Sequence, residues 1–160
     1  ERLPQPARLL VVGAGRLAET LHDQARALGL GAEEVIWLER LPDARRYFAA
    51  FDVFALPSDH EPFGMVVLEA MLAGVPVAAT RAGGVPEILG EHHPYLFPVG
   101  DAGALAEALT GMAALAPAAR SALLADARAR LLDGFSCAAA ARRLDGLISE
   151  LPGSVRRHVI

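Results

Sequence analysis

The sequence predicts an α/β domain, a Rossmann-like, mostly parallel sheet flanked by helices. Three observations carry that prediction. Short apolar runs alternate with helical patterns from Ala7 to Leu89, the signature of βα units feeding a parallel sheet. The runs are apolar throughout, without the alternation of a half-exposed sheet, which fits strands covered on both faces. Each run ends in a cluster of turn-forming or charged residues before the next element begins.

Glu1–Pro6 is polar and proline-bearing and reads as a linker or as the end of something longer. Ala7–Val12 is the first strand, and Gly13-Ala-Gly15 the turn after it. Leu17–Leu28 follows as a helix with Leu17, Leu21, Ala25 and Leu28 on one face, ended by Gly29 and Gly31. Val35–Leu38 is the second strand. Pro42, favoured in a first helical turn, opens a helix through Phe48. Val53–Leu56 is the third strand, Gly64–Leu72 a helix stopped at Gly74, and Pro76–Thr80 the fourth strand. Gly83-Gly84 turns the chain into a short helix, Val85–Leu89, and Tyr95–Phe97 is a fifth, edge strand. From Asp101 the chain becomes alanine-rich. Asp101 caps a helix to about Leu115, Pro117 starts one to about Leu132, and Cys137–Leu151 is a third. The alanines express helix propensity.

Composition bounds the function. The 160 residues suffice for one domain with a real core, and 53% hydrophobic content argues against disorder. No apolar run reaches the ~18–20 residues that span a bilayer, and no signal-peptide pattern opens the sequence. A formal net charge of −4 argues against a general nucleic-acid binder. It leaves room for a phosphate held locally by backbone N–H groups. The one cysteine, Cys137, permits no internal disulfide and suits a reducing compartment. No Cys/His spacing matches a metal site, and His92-His93 reads as part of a solvated loop.

In open parallel sheets, ligands bind outside the carboxyl ends of the strands. Gly13–Gly15, Glu39-Arg40, Asp59–Gly64 and Thr80–Gly84 all fall there. The most informative stretch is Ser58–Leu72, in which Glu61 and Glu69 stand eight positions apart across a turn into a helix. Phe63, Gly64, Met65 and Val66 open that helix, so their N–H groups lack intrahelical partners and suit a phosphate. Gly64 carries no Cβ and lets a ligand approach the backbone. Helical side chains lean toward the N-terminus, which turns Glu69 to the same mouth. A carboxylate repels phosphate, so Glu69 is suited to sugar hydroxyls such as those of ribose, and Glu61 to a second sugar. A plainer reading, with Glu61 capping the helix and Glu69 simply exposed, stays open on spacing alone.

Other loops offer competing chemistry. Gly13-Ala-Gly15-Arg-Leu-Ala18 matches the G-x-G-x-x-A form of the dinucleotide fingerprint, with Glu39 where a ribose-binding acid would stand. That combination describes an NAD(P)- or FAD-binding oxidoreductase domain, though such a turn also serves tight packing alone. Gly83-Gly84 with Glu87 is either a simple turn or a point of backbone approach to a ligand. Arg40 is placed to stack on a base or pair with phosphate; a plain surface arginine is the alternative. Phe63 and Met65 fit core and ligand roles equally. A Ser-His-Asp hydrolase is disfavoured: no G-x-S-x-G elbow exists, and Ser58-Asp59-His60 are consecutive. Asp59-His60-Glu61 diverge as neighbours and make no metal cluster.

Four segments together resemble a known family. Leu56-Pro-Ser58, Glu61-Pro-Phe-Gly-Met-Val-Val-Leu-Glu69-Ala-Met, Gly74-Val-Pro-Val-Ala-Ala-Thr80 and Gly83-Gly-Val-Pro-Glu87 are similar to the donor-binding, C-terminal domain of the family 4 retaining glycosyltransferases (GT-B fold, glycosyl transferases group 1). Leu9–Gly15, Tyr47–Phe54 and Phe97–Asp101 also fall where that family has counterparts. The resemblance runs to about Leu151. It implies one half of a GT-B enzyme that takes a nucleoside diphosphate sugar and transfers the hexosyl-type sugar to an acceptor hydroxyl with retained configuration. Carried over, Glu69 holds the ribose hydroxyls and Glu61, as the catalytic-site acid, contacts the donor sugar. The amides of Phe63, Gly64, Met65 and Val66 reach the sugar and diphosphate, Gly13 lies near the phosphates, and Glu39, Arg40 and Leu41 near the base. The family usually needs no metal and no cofactor.

The resemblance also sets expectations beyond residues 1–160. The family has a first domain that binds a saccharide or lipid-linked acceptor, and its second domain begins with a central strand ending in Gly-Arg, followed by a Lys that helps neutralise the diphosphate. This sequence starts after that strand, which is expected of a piece of a two-domain enzyme that is catalytically silent alone. Val155–Ile160 is the one basic, strand-like segment that could substitute. Family habit implies bacterial polysaccharide or lipopolysaccharide biosynthesis and a cytoplasmic setting, with any contact at the inner face of the membrane made through the first domain. An oxidoreductase domain and a non-catalytic α/β interaction module are the alternative functions.

Overall fold

The computed structural model describes residues 7–151. The linker reading of Glu1–Pro6 and the substitute strand at Val155–Ile160 lie outside the described residues. The chain divides into two compact units, Glu1–Tyr47 and Phe48–Ile160.

In the first unit, β1 (Leu9–Val12) and β2 (Val35–Leu38) pair in parallel, Leu9 opposite Val35 and Val12 opposite Leu38. The crossover is α1 (Ala18–Ala27), closed by Gly29 at φ +72°, where the N–H of Leu30 bonds back to the carbonyl of Ala25 at 2.9 Å. The expected apolar face of α1 is only partly used. Ala25 is buried, while Leu17, Leu21 and Leu28 are exposed, as are Leu9, Val12 and Ile36 of the strands. One helix over a two-stranded ladder has little surface to bury against, so cover on both faces is not achieved in this unit.

The second unit achieves it. A three-stranded parallel ladder runs in the order β3 (Phe54–Leu56), β4 (Val77–Thr80), β5 (Leu96–Phe97), with β5 at an edge as expected. Every residue of β4 is buried. Successive strand side chains point to opposite faces. Val77 and Ala79 join the larger core with α2 (Met65–Leu72), α3 (Val85–Leu89) and Phe48. Ala78 joins Phe97, Ala108 and Met112 on the other face, under α4 (Ala102–Ala113). Asp101 caps α4, accepting the N–H of Ala104 at 2.9 Å. The helices α5 (Pro117–Arg130) and α6 (Cys137–Glu150) flank a π-helical turn, Leu131–Phe135, that presses Leu131 and Phe135 onto the larger core with Ala127. Among the described residues no single helix is long and apolar enough to cross a membrane.

Two expectations are corrected. The helix expected from Pro42 to Phe48 instead runs over Ala44–Ala50, as a 3-10 helix. Asp43 intervenes at φ +55°, its carboxylate paired with Arg45 and Arg46, and this left-handed residue delays the helix start. The strands also form two ladders, β1-β2 and β3-β4-β5, where one sheet was expected.

Candidate functional site

The Ser58–Gly64 loop is held by groups that the second unit supplies from β4 and α3. Thr80 closes an otherwise apolar strand and is 1% exposed. Its hydroxyl donates to the carbonyl of Ser58 at 2.5 Å and lies 3.4 Å from that of Leu56. A buried hydroxyl needs such partners, and these fix where the chain leaves β3. Further along, the N–H of Gly84 donates to the carbonyl of Glu61 at 3.3 Å. A Cβ on Gly83 would stand 1.7 Å from the Glu61 carbonyl oxygen, and one on Gly84 would stand 2.7 Å from that of Phe63. The glycine pair therefore receives the Glu61–Phe63 backbone itself.

Gly64 ends the loop at φ +103° and is the residue before α2. It is buried, and a Cβ there would meet Ile88 at 3.2 Å and Val85 at 3.5 Å. The left-handed backbone and the core behind it both favour glycine at this position. No side chain caps α2, and its first intrahelical donor is the N–H of Val67, 2.9 Å from the Gly64 carbonyl. The N–H groups of Met65 and Val66 are left for an external acceptor. The helix end adds about half a positive charge there.

Glu61 and Glu69 are both half-buried. Among the described residues neither carboxylate takes part in an ion pair or a side-chain hydrogen bond, so Glu61 does not cap the helix. Phe63 and Met65 are exposed beside them, which removes the core reading of these two. The segment from Ser58 to Leu72 holds no lysine or arginine, and Arg81, just beyond β4, is bound to the backbone and carboxylate of Glu91. Within this segment, amides are the groups that can meet an anion. His60 lies 3.4 Å from Asp59 and holds that exposed carboxyl below its usual range. Among the described residues no group of three or more His, Cys, Asp or Glu is arranged to hold a metal ion.

The remaining expected residues belong to the first unit. Gly13 follows β1 at φ +145°, with its N–H 2.8 Å from the carbonyl of Leu38, so the turn grows directly out of the ladder. Glu39 and Arg40 follow β2 and are exposed, while Leu41 is half-buried. All four thus stand at the carboxyl end of their own parallel pair. The sequence reading placed Thr80 at a strand end without assigning its hydroxyl a role, and it missed Phe135, whose ring meets that of Phe63 edge-on with centroids 6.1 Å apart. The polar end of an apolar strand was a usable signal for Thr80; nothing local marked Phe135.

Comparisons with known proteins bear on the family and the fold. A family model described as "Glycosyl transferases group 1" matches residues 1–115. The chain is 37% identical over 105 residues to the sulfoquinovosyl transferase SQD2 of Arabidopsis thaliana, covering 63% of this chain and 20% of that protein. It is 37% identical over 110 residues to the N-acetyl-alpha-D-glucosaminyl L-malate synthase of Bacillus anthracis, covering 63% and 26%. The chain therefore spans about a fifth to a quarter of the length of these relatives. Among solved structures, Anabaena HepE in complex with UDP superposes with a TM-score of 0.80 at 28% identity, covering 92% of this chain and 42% of that one.

Proposed function

The chain belongs to the glycosyl transferases group 1 family, and from that premise we propose that it is the donor-binding part of a retaining, family 4 enzyme. The observation that carries this reading is the open N-terminus of α2, turned by Gly64 and flanked by two half-buried carboxylates without cation partners. Amides suit the diphosphate of a nucleoside diphosphate sugar and carboxylates suit its hydroxyls. UDP in the related HepE structure supports that class of donor. In this reading Glu69 accepts hydrogen bonds from the ribose, and Glu61 orients the donor sugar without attacking it. The N–H groups of Phe63, Gly64, Met65 and Val66 meet the sugar and diphosphate. Gly13 lies near the phosphates, and Arg40 and Leu41 near the base.

The reaction is a front-face displacement. The acceptor hydroxyl oxygen bonds to the anomeric carbon on the side from which the diphosphate leaves. The carbon–oxygen bond to the diphosphate breaks, and the hydroxyl proton passes to a departing phosphate oxygen. Preorganised amides stabilise the charge that grows on the leaving group. No metal or cofactor enters this scheme. The acceptor, a saccharide or a lipid-linked one, is bound by another domain in a cytoplasmic enzyme of polysaccharide or lipopolysaccharide assembly.

Calorimetric titration of the chain with UDP, GDP and NADH tests the proposal. A nucleoside diphosphate binds, and Glu69→Ala weakens it by about tenfold to a hundredfold, the worth of one or two hydrogen bonds to a charged group. Binding of NADH alone would instead make the Gly13-Ala-Gly15 turn a dinucleotide site and sink the donor reading.

A further inference from the structure

Phe63 stands at the mouth of α2 and is 42% exposed, and its backbone forms one wall of the candidate site. The Gly83-Gly84 turn grips that backbone from one side. On the other side the ring meets Phe135, at 6.1 Å between centroids and 62° between planes, a favourable edge-to-face arrangement. Phe135 comes from the π-helical turn, 72 positions further along the chain.

The π turn gives this contact a structural cause. Ala127, Leu131 and Phe135 are spaced by four, and all three pack on the larger core. In an α-helix each step of four overshoots a full turn by about 40°, so the third residue of such a series drifts off its face. The turn from Leu131 to Phe135 is π-helical, bonded i→i+5 and wound less per residue. That winding cancels the drift and returns Phe135 to the face that Ala127 and Leu131 share. Ser136 then stops the turn, its hydroxyl donating to the Leu132 carbonyl at 2.6 Å and accepting the Ala139 N–H at 3.1 Å to start α6. Arg130, the last residue before the π turn, reaches the carbonyls of Ile88 and Glu87 at the end of α3, at 3.3 and 3.5 Å. The segment thus holds both α3, which follows the Gly83-Gly84 turn, and the ring of Phe63.

We propose that Phe135 is a positioning residue for donor recognition: its ring braces Phe63 and so holds the Phe63–Val66 amides in the orientation that the donor diphosphate meets. The assignment rests on the donor reading above. Phe135 touches no donor atom and acts through Phe63.

The test uses the full chain, with UDP as the probe, at a temperature where every variant is fully folded by circular dichroism. Phe135→Leu keeps an apolar side chain and loses the aromatic edge, and Phe135→Tyr restores it. Met112→Ala opens a cavity in the other core cluster and controls for general destabilisation. In Phe135→Leu the backbone order parameters of Phe63–Val66 fall from about 0.85 toward 0.6. UDP affinity falls about threefold to tenfold, the range an aromatic edge contact converts to. Phe135→Tyr recovers both readouts, and Met112→Ala moves neither. Unchanged order at Phe63–Val66 in Phe135→Leu, or lowered order with unchanged affinity, overturns the assignment while leaving the donor reading intact. A wild-type chain that binds neither UDP nor GDP overturns the donor reading, and this assignment with it.

Discussion

Gly83 shows how much of the site is decided by single atoms. It sits at φ +50°, and its missing Cβ would fall 1.7 Å from a carbonyl oxygen of the loop it supports. Relief requires moving either the backbone of the Glu61 loop or the start of α3, whose Val85 and Ile88 are fully buried. Gly83→Ala is therefore expected to lower stability by about 2 kcal/mol or more, combining left-handed strain with a backbone collision. Urea denaturation measures it, and a loss under about 0.5 kcal/mol would mean that the loop does not rest on this turn. The two-glycine signal was visible in the sequence, but what the glycines made room for was not. The collision partner lies about twenty residues upstream, and only packing identifies it. Gly64 is similar. Its place at the start of α2 could be read from the sequence, while its positive φ and the packing of Ile88 behind it could not.

At the scale of elements, the strands and most helices could be read because each segment's local preference agrees with its role in the fold. Val35–Leu38, Val85–Leu89 and the Asp101 cap lie where residue type and period put them. The 3-10 helix after Asp43 and the π turn at Leu131 could not be read. The first depends on a left-handed, ion-paired aspartate and the second on register against a distant core. His93 likewise departed from its sequence reading as part of a solvated loop. It is half-buried before β5, and its Nδ1 lies 3.3 Å from the Tyr95 N–H, which requires that nitrogen unprotonated. Burial pushes its pKa down from 6.5 to about 4; Asp126 opposes the shift and Arg130 adds to it. Because the folded value lies below the unfolded one, protonation favours the unfolded chain. The contribution of neutral His93 is complete above pH 6.5 and is lost as pH falls through about 4. Unfolding free energies measured between those limits should fall less steeply in His93→Gln than in wild type. Identical slopes would show that the imidazole titrates normally.

For the whole molecule, the α/β class could be read from the alternation between Ala7 and Leu89, and the family from the ordered motifs between Leu56 and Glu87. The sheet expected as one is two, and the expected site residues are shared between the two units. Glu61, Phe63, Gly64, Met65, Val66 and Glu69 are gathered by the second unit; Gly13, Arg40 and Leu41 stand at the strand ends of the first. Local pattern specifies each strand and its facing helix, but the edge each strand pairs with depends on which neighbours are there to pair. The central claim is that the amide mouth of α2 and the two glutamates beside it receive a nucleoside diphosphate. Nuclear magnetic resonance mapping of backbone amides during titration of the chain with UDP and GDP tests this most directly. At least one of the two nucleotides is expected to shift Phe63, Gly64, Met65, Val66 and Glu69, with the shifts lost in Glu69→Ala. Shifts confined to other residues, or none with either nucleotide, would contradict it.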